Sequence, residues 1–146
     1  MEYSDFFNVT IIRPFNVYGP RQKPGNDVVS VFIDKINKGE TLTVFGEGEQ
    51  TRDFIFVDDI VSVSLSAMKN SDAYSGIFNV GTGKETKIKD LVEMLMKIIG
   101  KKVSIDYEKE RPGEIKRSVA DISKLHELGF NPISLEDGLR KTVAGR

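Results

Sequence analysis

Cysteine and tryptophan are both absent from this chain of 146 residues. Without cysteine there can be no disulfide, no thiolate nucleophile and no cysteine-ligated zinc, and the composition fits a reducing compartment. The single histidine, His126, excludes a site built from several histidines, so we expect no metal centre. We therefore expect a cytoplasmic protein that a packed core holds together.

A strong charge of one sign and a long apolar run are lacking as well. Lys and Arg number 21 against 22 for Asp and Glu, which gives a formal net charge of −1. This balance provides no net attraction for phosphate backbones or anionic lipid, so we expect neither nucleic acid nor a membrane as partner. No apolar run approaches the ~18 residues of a membrane span. The length predicts that residues 1–146 form one domain or a piece of a larger one.

Short apolar runs alternate with segments of helical periodicity along the chain. The runs are β-branched or alternating, which predicts strands, and the periodic segments repeat apolar residues at three- and four-residue steps, which predicts amphipathic helices. This order predicts an α/β fold with a largely parallel sheet. The predicted strands are residues 8–12, 41–45, 52–57, 77–80 and 103–107; the predicted helices are residues 27–38, 57–68, 88–99, 121–128 and 134–143.

Two glycine-rich segments raise the question of a phosphate site, because glycine lets backbone amides approach an anion closely. Residues 81–83 (GTG) lie between a predicted strand and helix, and Asp106 has the spacing of a ribose-binding acid. Thr86, however, occupies the position of the third glycine, and a tight turn capped by Thr86 is the competing interpretation. Residues 46–50 (GEGEQ) lack the Lys-Ser/Thr of nucleotide-hydrolase loops, so we interpret them as a hairpin turn.

Charged residues at element ends offer further candidates. The neighbours Asp58 and Asp59 do not face each other on a helix, so we expect them to cap the helix start instead of forming an acid–base pair. Arg13, Arg52 and Arg111 stand beside prolines, turns or strand edges. Rigid guanidinium groups at such positions bind diphosphates or carboxylates, and surface ion pairs are the alternative.

Four blocks of sequence carry a specific motif pattern: residues 13–22 (RPFNVYGPRQ), 42–59 (LTVFGEGEQTRDFIFVDD), 78–83 (FNVGTG), and 111–114 (RPGE) with 118–121 (SVAD). In order and spacing these blocks resemble the extended short-chain dehydrogenase/reductase family of nucleotide-sugar epimerases and dehydratases, especially members like UDP-glucose 4-epimerase. The resemblance covers essentially the whole chain. It implies the carboxy-terminal part of an NAD(P)-binding Rossmann-type enzyme, which comprises a substrate-binding subdomain and the last strands of the cofactor sheet.

In that family the amino-terminal half carries the glycine-rich NAD loop and a catalytic Tyr-x-x-x-Lys pair. None of the four tyrosines here is followed four residues later by lysine. The resemblance therefore implies a chain that lacks the NAD-binding half, is inactive by itself and does not bind NAD tightly, although the complete enzyme uses NAD. Strands from the cofactor sheet would expose edges and an apolar face. We expect self-association or pairing with an amino-terminal half.

The resemblance also implies which residues would bind the sugar diphosphate. Asn16 would contact it beside the nicotinamide, and Arg52 would hold a phosphate or the ribose. Arg111 would clamp the diphosphate with support from Asn79. Glu114 stands where many members have Asp, in the position of a ribose contact.

Three further positions would meet the nucleobase: Thr43, Phe45 and the backbone of Val28. No catalytic residue is assigned to this chain. The leading hypothesis is thus the UDP-hexose-binding half of an NAD-dependent epimerase. The alternatives are the corresponding half of a dTDP- or GDP-sugar 4,6-dehydratase, and a non-catalytic nucleotide-binding or interaction module.

Overall fold

The structure, a computed structural model, describes residues 8–25, 27–70, 76–127 and 129–145. Its elements alternate between strands and helices, as the sequence pattern predicts. In chain order they are β1 (Ile11–Pro14), β2 (Asn16–Tyr18), α1 (Val28–Lys38), β3 (Leu42–Phe45), β4 (Thr51–Arg52), β5 (Phe54–Phe56), α2 (Val57–Lys69), β6 (Ile77–Val80), β7 (Thr86–Lys87), α3 (Ile88–Ile99), β8 (Ile105–Glu108), α4 (Ser123–Glu127) and α5 (Leu135–Ala144).

The described strands form four pairs, of which three are parallel. β1 pairs with β6, β2 with β5 and β3 with β8 in parallel, while β4 and β7 are antiparallel. The predicted α/β fold with mainly parallel pairing is confirmed. The hairpin predicted around residues 46–50 is wrong, because the strands on either side pair with distant partners and not with each other.

Two apolar clusters form the core. The larger one joins α1, α3 and α5, whose residues Ile33, Leu91 and Leu139 are fully buried. The smaller one gathers β6, α2 and α4 around residues such as Val80 and Leu125. The two clusters therefore hold the strands in place, and the loops that follow the strands can carry functional side chains.

Two helices begin and end within one residue of their predicted bounds. Asp27 caps α1 by accepting from the Ser30 backbone N–H at 2.7 Å, and Gly39 ends that helix in the left-handed conformation, with φ of 74°. Ser134 begins α5, where its hydroxyl oxygen accepts from the Asp137 backbone N–H at 3.1 Å. Local side-chain chemistry defines these boundaries.

The capping predicted for Asp58 and Asp59 and for Thr86 is wrong. α2 begins after Phe56 and α3 after Lys87, and neither helix has a side-chain cap. Asp58 and Asp59 lie within the first turn of α2, and Thr86 belongs to β7. Because each helix follows directly from a strand, extended backbone leads straight into the first turn.

One face of α2 carries three apolar side chains that remain exposed. The exposed fractions are 51% for Val61, 50% for Leu65 and 74% for Met68. We call these three residues the α2 stripe. The opposite side of the helix buries Val63 and Ala67. The stripe is an apolar face of the kind that the resemblance leads us to expect.

Candidate functional site

Most of the predicted ligand-binding residues surround one cavity of about 450 Å³. Four of them, Asn16, Val28, Phe45 and Arg52, stand at the ends of strands or helices, whereas Arg111 and Glu114 lie in the loop that follows β8. Six of the eight predicted positions line the cavity: Asn16, Val28, Phe45, Arg52, Arg111 and Glu114. We call this cavity the arginine pocket.

The other two predicted positions lie outside the arginine pocket. Thr43 is two residues before Phe45 on β3 and therefore shares its side of the strand. Asn79 lines a separate cavity of about 270 Å³ together with Arg13 and Lys124. Its Nδ2 donates to the Asp121 carbonyl oxygen at 3.4 Å. The structure does not bring Asn79 to the arginine pocket, and the roles given to it and to Thr43 stay predictions.

Arg52 is held in place by neighbours on three sides. Its Nη1 donates to the carbonyl oxygens of Thr51 at 2.8 Å and Ile115 at 2.6 Å, and its Nη2 forms an ion pair with Glu114. Only 18% of the Arg52 side chain and 22% of the Glu114 side chain are exposed. These contacts hold the guanidinium group in one orientation, and the anion that it already binds is the Glu114 carboxylate.

Arg111 stacks on Phe45 at the pocket wall. The guanidinium carbon lies 3.8 Å from the centroid of the ring, a cation–π arrangement. Leu42 and Val44 face the core, so the alternation of β3 turns Phe45 to the other side. The Gln50 side-chain amide donates to the Phe45 carbonyl oxygen at 2.9 Å, which fixes the strand end. An aromatic face and a cation are thus presented together.

The first turn of α1 forms another wall of the pocket, through Asp27, Val28 and Val29. Backbone N–H groups in the first turn of a helix carry partial positive charge. Sequence reasoning recognised Asp27 as part of the helix start but missed that it borders the pocket. It missed five further lining residues as well, for which position near the motif blocks was the only signal: Val17, Val29, Gln50, Phe54 and Ile88.

The glycine-rich turn at residues 81–83 already holds an anion that belongs to the protein. The Asp53 carboxylate accepts from the backbone N–H groups of Thr82 at 2.8 Å, Gly83 at 2.9 Å and Ala120 at 3.1 Å, and from the Thr82 hydroxyl at 2.7 Å. The turn therefore serves a carboxylate within the chain. In the described part of the chain these amides are not open to the pyrophosphate of a dinucleotide, so this turn does not fit NAD.

The two neighbouring acidic residues on α2, Asp58 and Asp59, differ in burial. Asp59 is only 7% exposed, and its Oδ2 accepts from the Ile133 backbone N–H at 3.3 Å. Burial raises the pKa of the Asp59 carboxyl above its ordinary value. Asp58 is exposed, so the two carboxyl groups meet different surroundings.

Residues 8–25, 27–70, 76–127 and 129–145 contain neither a metal-binding cluster nor a membrane-spanning helix. No group of three or more His, Asp or Glu side chains there could hold a metal ion. None of the helices described is long and apolar enough to cross a membrane.

Comparison with known proteins places the chain in a family. The model of the NAD dependent epimerase/dehydratase family matches residues 2–81, more than half of the sequence. The chain belongs to that family. The resemblance carried by the four motif blocks is thereby confirmed.

Relatives within the NAD-dependent epimerase/dehydratase family include several 4-epimerases. UDP-glucose 4-epimerase of Mycolicibacterium smegmatis is 39% identical over 137 residues, which are 90% of this chain and 43% of the relative. UDP-glucuronate 4-epimerase of Thermodesulfobacterium geofontis is 36% identical over 139 residues, or 93% of this chain and 42% of the relative. Decarboxylases and dehydratases are also among the relatives.

The fold agrees with solved structures of this family. A crystal structure of UDP-glucose 4-epimerase from Thermotoga maritima with UDP-glucose matches with a TM-score of 0.87 and 39% identity. The match covers 93% of this chain and 45% of that protein. The α/β Rossmann-like fold of UDP-sugar epimerases is confirmed, and this chain spans less than half the length of the relatives it matches.

Proposed function

We propose that this chain binds the nucleoside-diphosphate part of a nucleotide sugar in the arginine pocket, with a UDP-hexose as the preferred ligand. One observation carries the proposal: two guanidinium groups, an aromatic ring and the first turn of a helix converge on a single cavity. One guanidinium group can donate to two phosphate oxygens at once, and a nucleobase can stack on an aromatic ring. The relative from Thermotoga maritima, described with UDP-glucose, supports the same ligand class.

In this proposal Arg52 and Arg111 hold the diphosphate, Phe45 meets the base, and Asn16 lies toward the sugar. The diphosphate competes with Glu114 for Arg52. Once displaced, the Glu114 carboxylate is free to accept from the ribose hydroxyl groups. Asn79 would support the diphosphate only if the loops around the second cavity moved, and Thr43 would support the base from farther along β3.

Calorimetric titration of the chain with UDP, dTDP, GDP and uridine tests the proposal. We expect UDP to bind more tightly than uridine, because only UDP carries the diphosphate. Preference for dTDP or GDP over UDP would favour the dehydratase half over the epimerase half. No binding of any of the three diphosphates would overturn the proposal and leave an interaction module as the better account.

Phe45→Ala should weaken UDP binding by roughly 1–3 kcal/mol, the usual contribution of one base stacked on an aromatic ring. The matched control is Tyr107→Ala, which removes an aromatic ring that is 59% exposed on the neighbouring strand β8. We expect Tyr107→Ala to leave the Kd unchanged. A Phe45→Ala variant with normal Kd and strongly reduced unfolding free energy would identify Phe45 as a packing residue instead.

We further propose that the complete enzyme is an NAD-dependent epimerase in which an amino-terminal half holds NAD and covers the α2 stripe. The relatives are more than twice as long as the matched region. Among the strands described here, β1 pairs with β6 alone, although parallel strands are normally buried between neighbours on both sides. An added strand beside β1 and a helix on the stripe would cover both features. Without that half, self-association through the stripe is expected.

A chimera that joins the amino-terminal half of the Thermotoga maritima epimerase to this chain should interconvert UDP-glucose and UDP-galactose. Leu65→Glu should abolish that activity by placing a charge in the covered stripe, yet leave UDP binding by this chain unchanged. Tyr107→Glu, at another exposed apolar position, is the control and should be tolerated. Normal activity of the Leu65→Glu chimera would show that the stripe is not the docking face.

A further inference from the structure

Asp53 is a fully buried carboxylate, 0% exposed, that stands between pocket residue Arg52 and pocket residue Phe54. Its side chain does not line the arginine pocket. It reaches instead to the turn at residues 81–83 and to Ala120, where four hydrogen bonds hold it. The donors come from segments 29, 30 and 67 residues away along the chain.

The backbone of the same residue holds the sugar side of the pocket. The Asp53 carbonyl oxygen accepts from the Asn16 side-chain amide at 2.9 Å and from the Asn16 backbone N–H at 3.1 Å. Asp53 therefore contacts Asn16 through its carbonyl oxygen, and it is bonded directly to Arg52. When the backbone of Asp53 is held in place, the backbone positions of both Asn16 and Arg52 are held as well.

The site is built for a carboxylate. Four donors converge on two oxygens, and an ionised carboxylate is the one side chain that only accepts and has sites for all of them. Gly81 leaves room for this approach, since a Cβ there would lie 2.6 Å from Asp53 Oδ2 and 2.7 Å from the Ala120 Cβ. The hydrogen bonds offset the cost of burying the charge.

We propose that Asp53 is a positioning residue for nucleotide-sugar binding, which sets Asn16 and Arg52 by anchoring β4 and β5 to the turn at residues 81–83 and to Ala120. The proposal rests on the proposed function of the arginine pocket and deepens it. Asp53 touches no ligand in this account. Its removal therefore weakens binding through two side chains at once.

The test compares Asp53→Asn with the unchanged chain in two measurements. The substitution keeps the size of the side chain but turns an N–H₂ group toward N–H donors. We expect the Kd for UDP to rise about tenfold or more in the folded variant, which corresponds to about 1.4 kcal/mol. We also expect the NMR signals of the Asn16 side-chain amide to shift in the ligand-free protein, which reports positioning without any ligand.

Ile36→Ala is the control for lost stability. Ile36 is 0% exposed near the far end of α1, so this variant loses core packing at a distance from the pocket. Its Kd for UDP and its Asn16 signals should match those of the unchanged chain. Equal effects of Ile36→Ala and Asp53→Asn would assign Asp53 a structural role only and overturn the proposal.

Thr82→Val is the milder second variant, which decides the matter if Asp53→Asn does not fold. It removes one of the four donors, and a severalfold rise in Kd with shifted Asn16 signals supports the proposal. Unchanged Kd and unchanged Asn16 signals in a folded variant overturn it. If the unchanged chain binds no UDP, the proposed function fails, whereas the Asn16 signals still decide whether Asp53 positions that residue.

Discussion

Gly138→Ala is expected to lower the free energy of unfolding by about 3 kcal/mol, at the upper end of the usual cost of overpacking a core. A Cβ at Gly138 would lie 2.1 Å from the Tyr18 hydroxyl oxygen and 2.9 Å from its Cζ. Tyr18 is 2% exposed and packs against the rings of Phe54 and Phe56, with centroids 6.5 and 5.7 Å away. The Tyr18 hydroxyl also donates to the Leu135 carbonyl oxygen at 3.3 Å, so an added methyl group must displace either the ring from this packing or helix α5. Urea unfolding measures the change.

Two variants show that contact with Tyr18 is the cause. Gly25→Ala adds the same methyl group in open surroundings, and its unfolding free energy should stay within about 0.5 kcal/mol of the unchanged chain. Combining Tyr18→Phe with Gly138→Ala removes the closest contact, so the pair should cost less than the sum of the two single changes. A Gly138→Ala protein as stable as the unchanged chain would contradict this account of how α5 packs.

Arg52→Lys and Arg111→Lys should each weaken UDP binding by roughly 1–3 kcal/mol and weaken uridine binding much less. Lysine keeps the charge but loses the planar group that binds two phosphate oxygens at once. Uridine has no diphosphate and therefore serves as the internal control. Because both side chains would hold one diphosphate, the double variant should depart from the sum of the single effects. Calorimetric titration of the unchanged chain, the two single variants and the double variant with UDP and with uridine measures these changes in binding free energy.

Arg140→Lys is the matched control for these variants. The Arg140 side chain is 53% exposed and pairs with Glu136, one turn away on α5. Arg140 does not line the arginine pocket. Its replacement should leave the Kd for UDP unchanged. Additive effects of the two pocket substitutions, equal for UDP and uridine, would mean that these arginines are surface ion-pair residues and that the diphosphate binds elsewhere.

Helix positions and several helix ends were predictable from sequence because they depend on neighbours within a few residues. The left-handed Gly39 at the end of α1 and the cap at Ser134 each follow from local hydrogen bonding. Strand partners were not predictable in this way. β3 pairs with β8, some sixty residues away along the chain. Gly46 and Gly48, whose spacing suggested a hairpin, instead direct the chain toward β4.

The candidate site was predicted mainly through the family resemblance, which named six residues that the fold brings together. What sequence reasoning could not provide was the partner of each charged group. Arg52 faces Glu114, 62 residues away, and the anion at the turn of residues 81–83 is Asp53. Both contacts depend on tertiary structure. The exposure of the α2 stripe was not predictable either. Its helical period is typical of a buried face, but in the tertiary structure the three side chains are exposed.

NMR mapping of UDP on the ¹⁵N-labelled chain tests most directly whether the arginine pocket is the nucleotide site. Binding in this pocket would place the largest shift changes on the backbone signals of Val28, Phe45 and Gln50 and on the side-chain Nε signals of Arg52 and Arg111. Shift changes confined to the second cavity, around Arg13 and Asn79, would contradict it. So would a spectrum that UDP leaves unchanged.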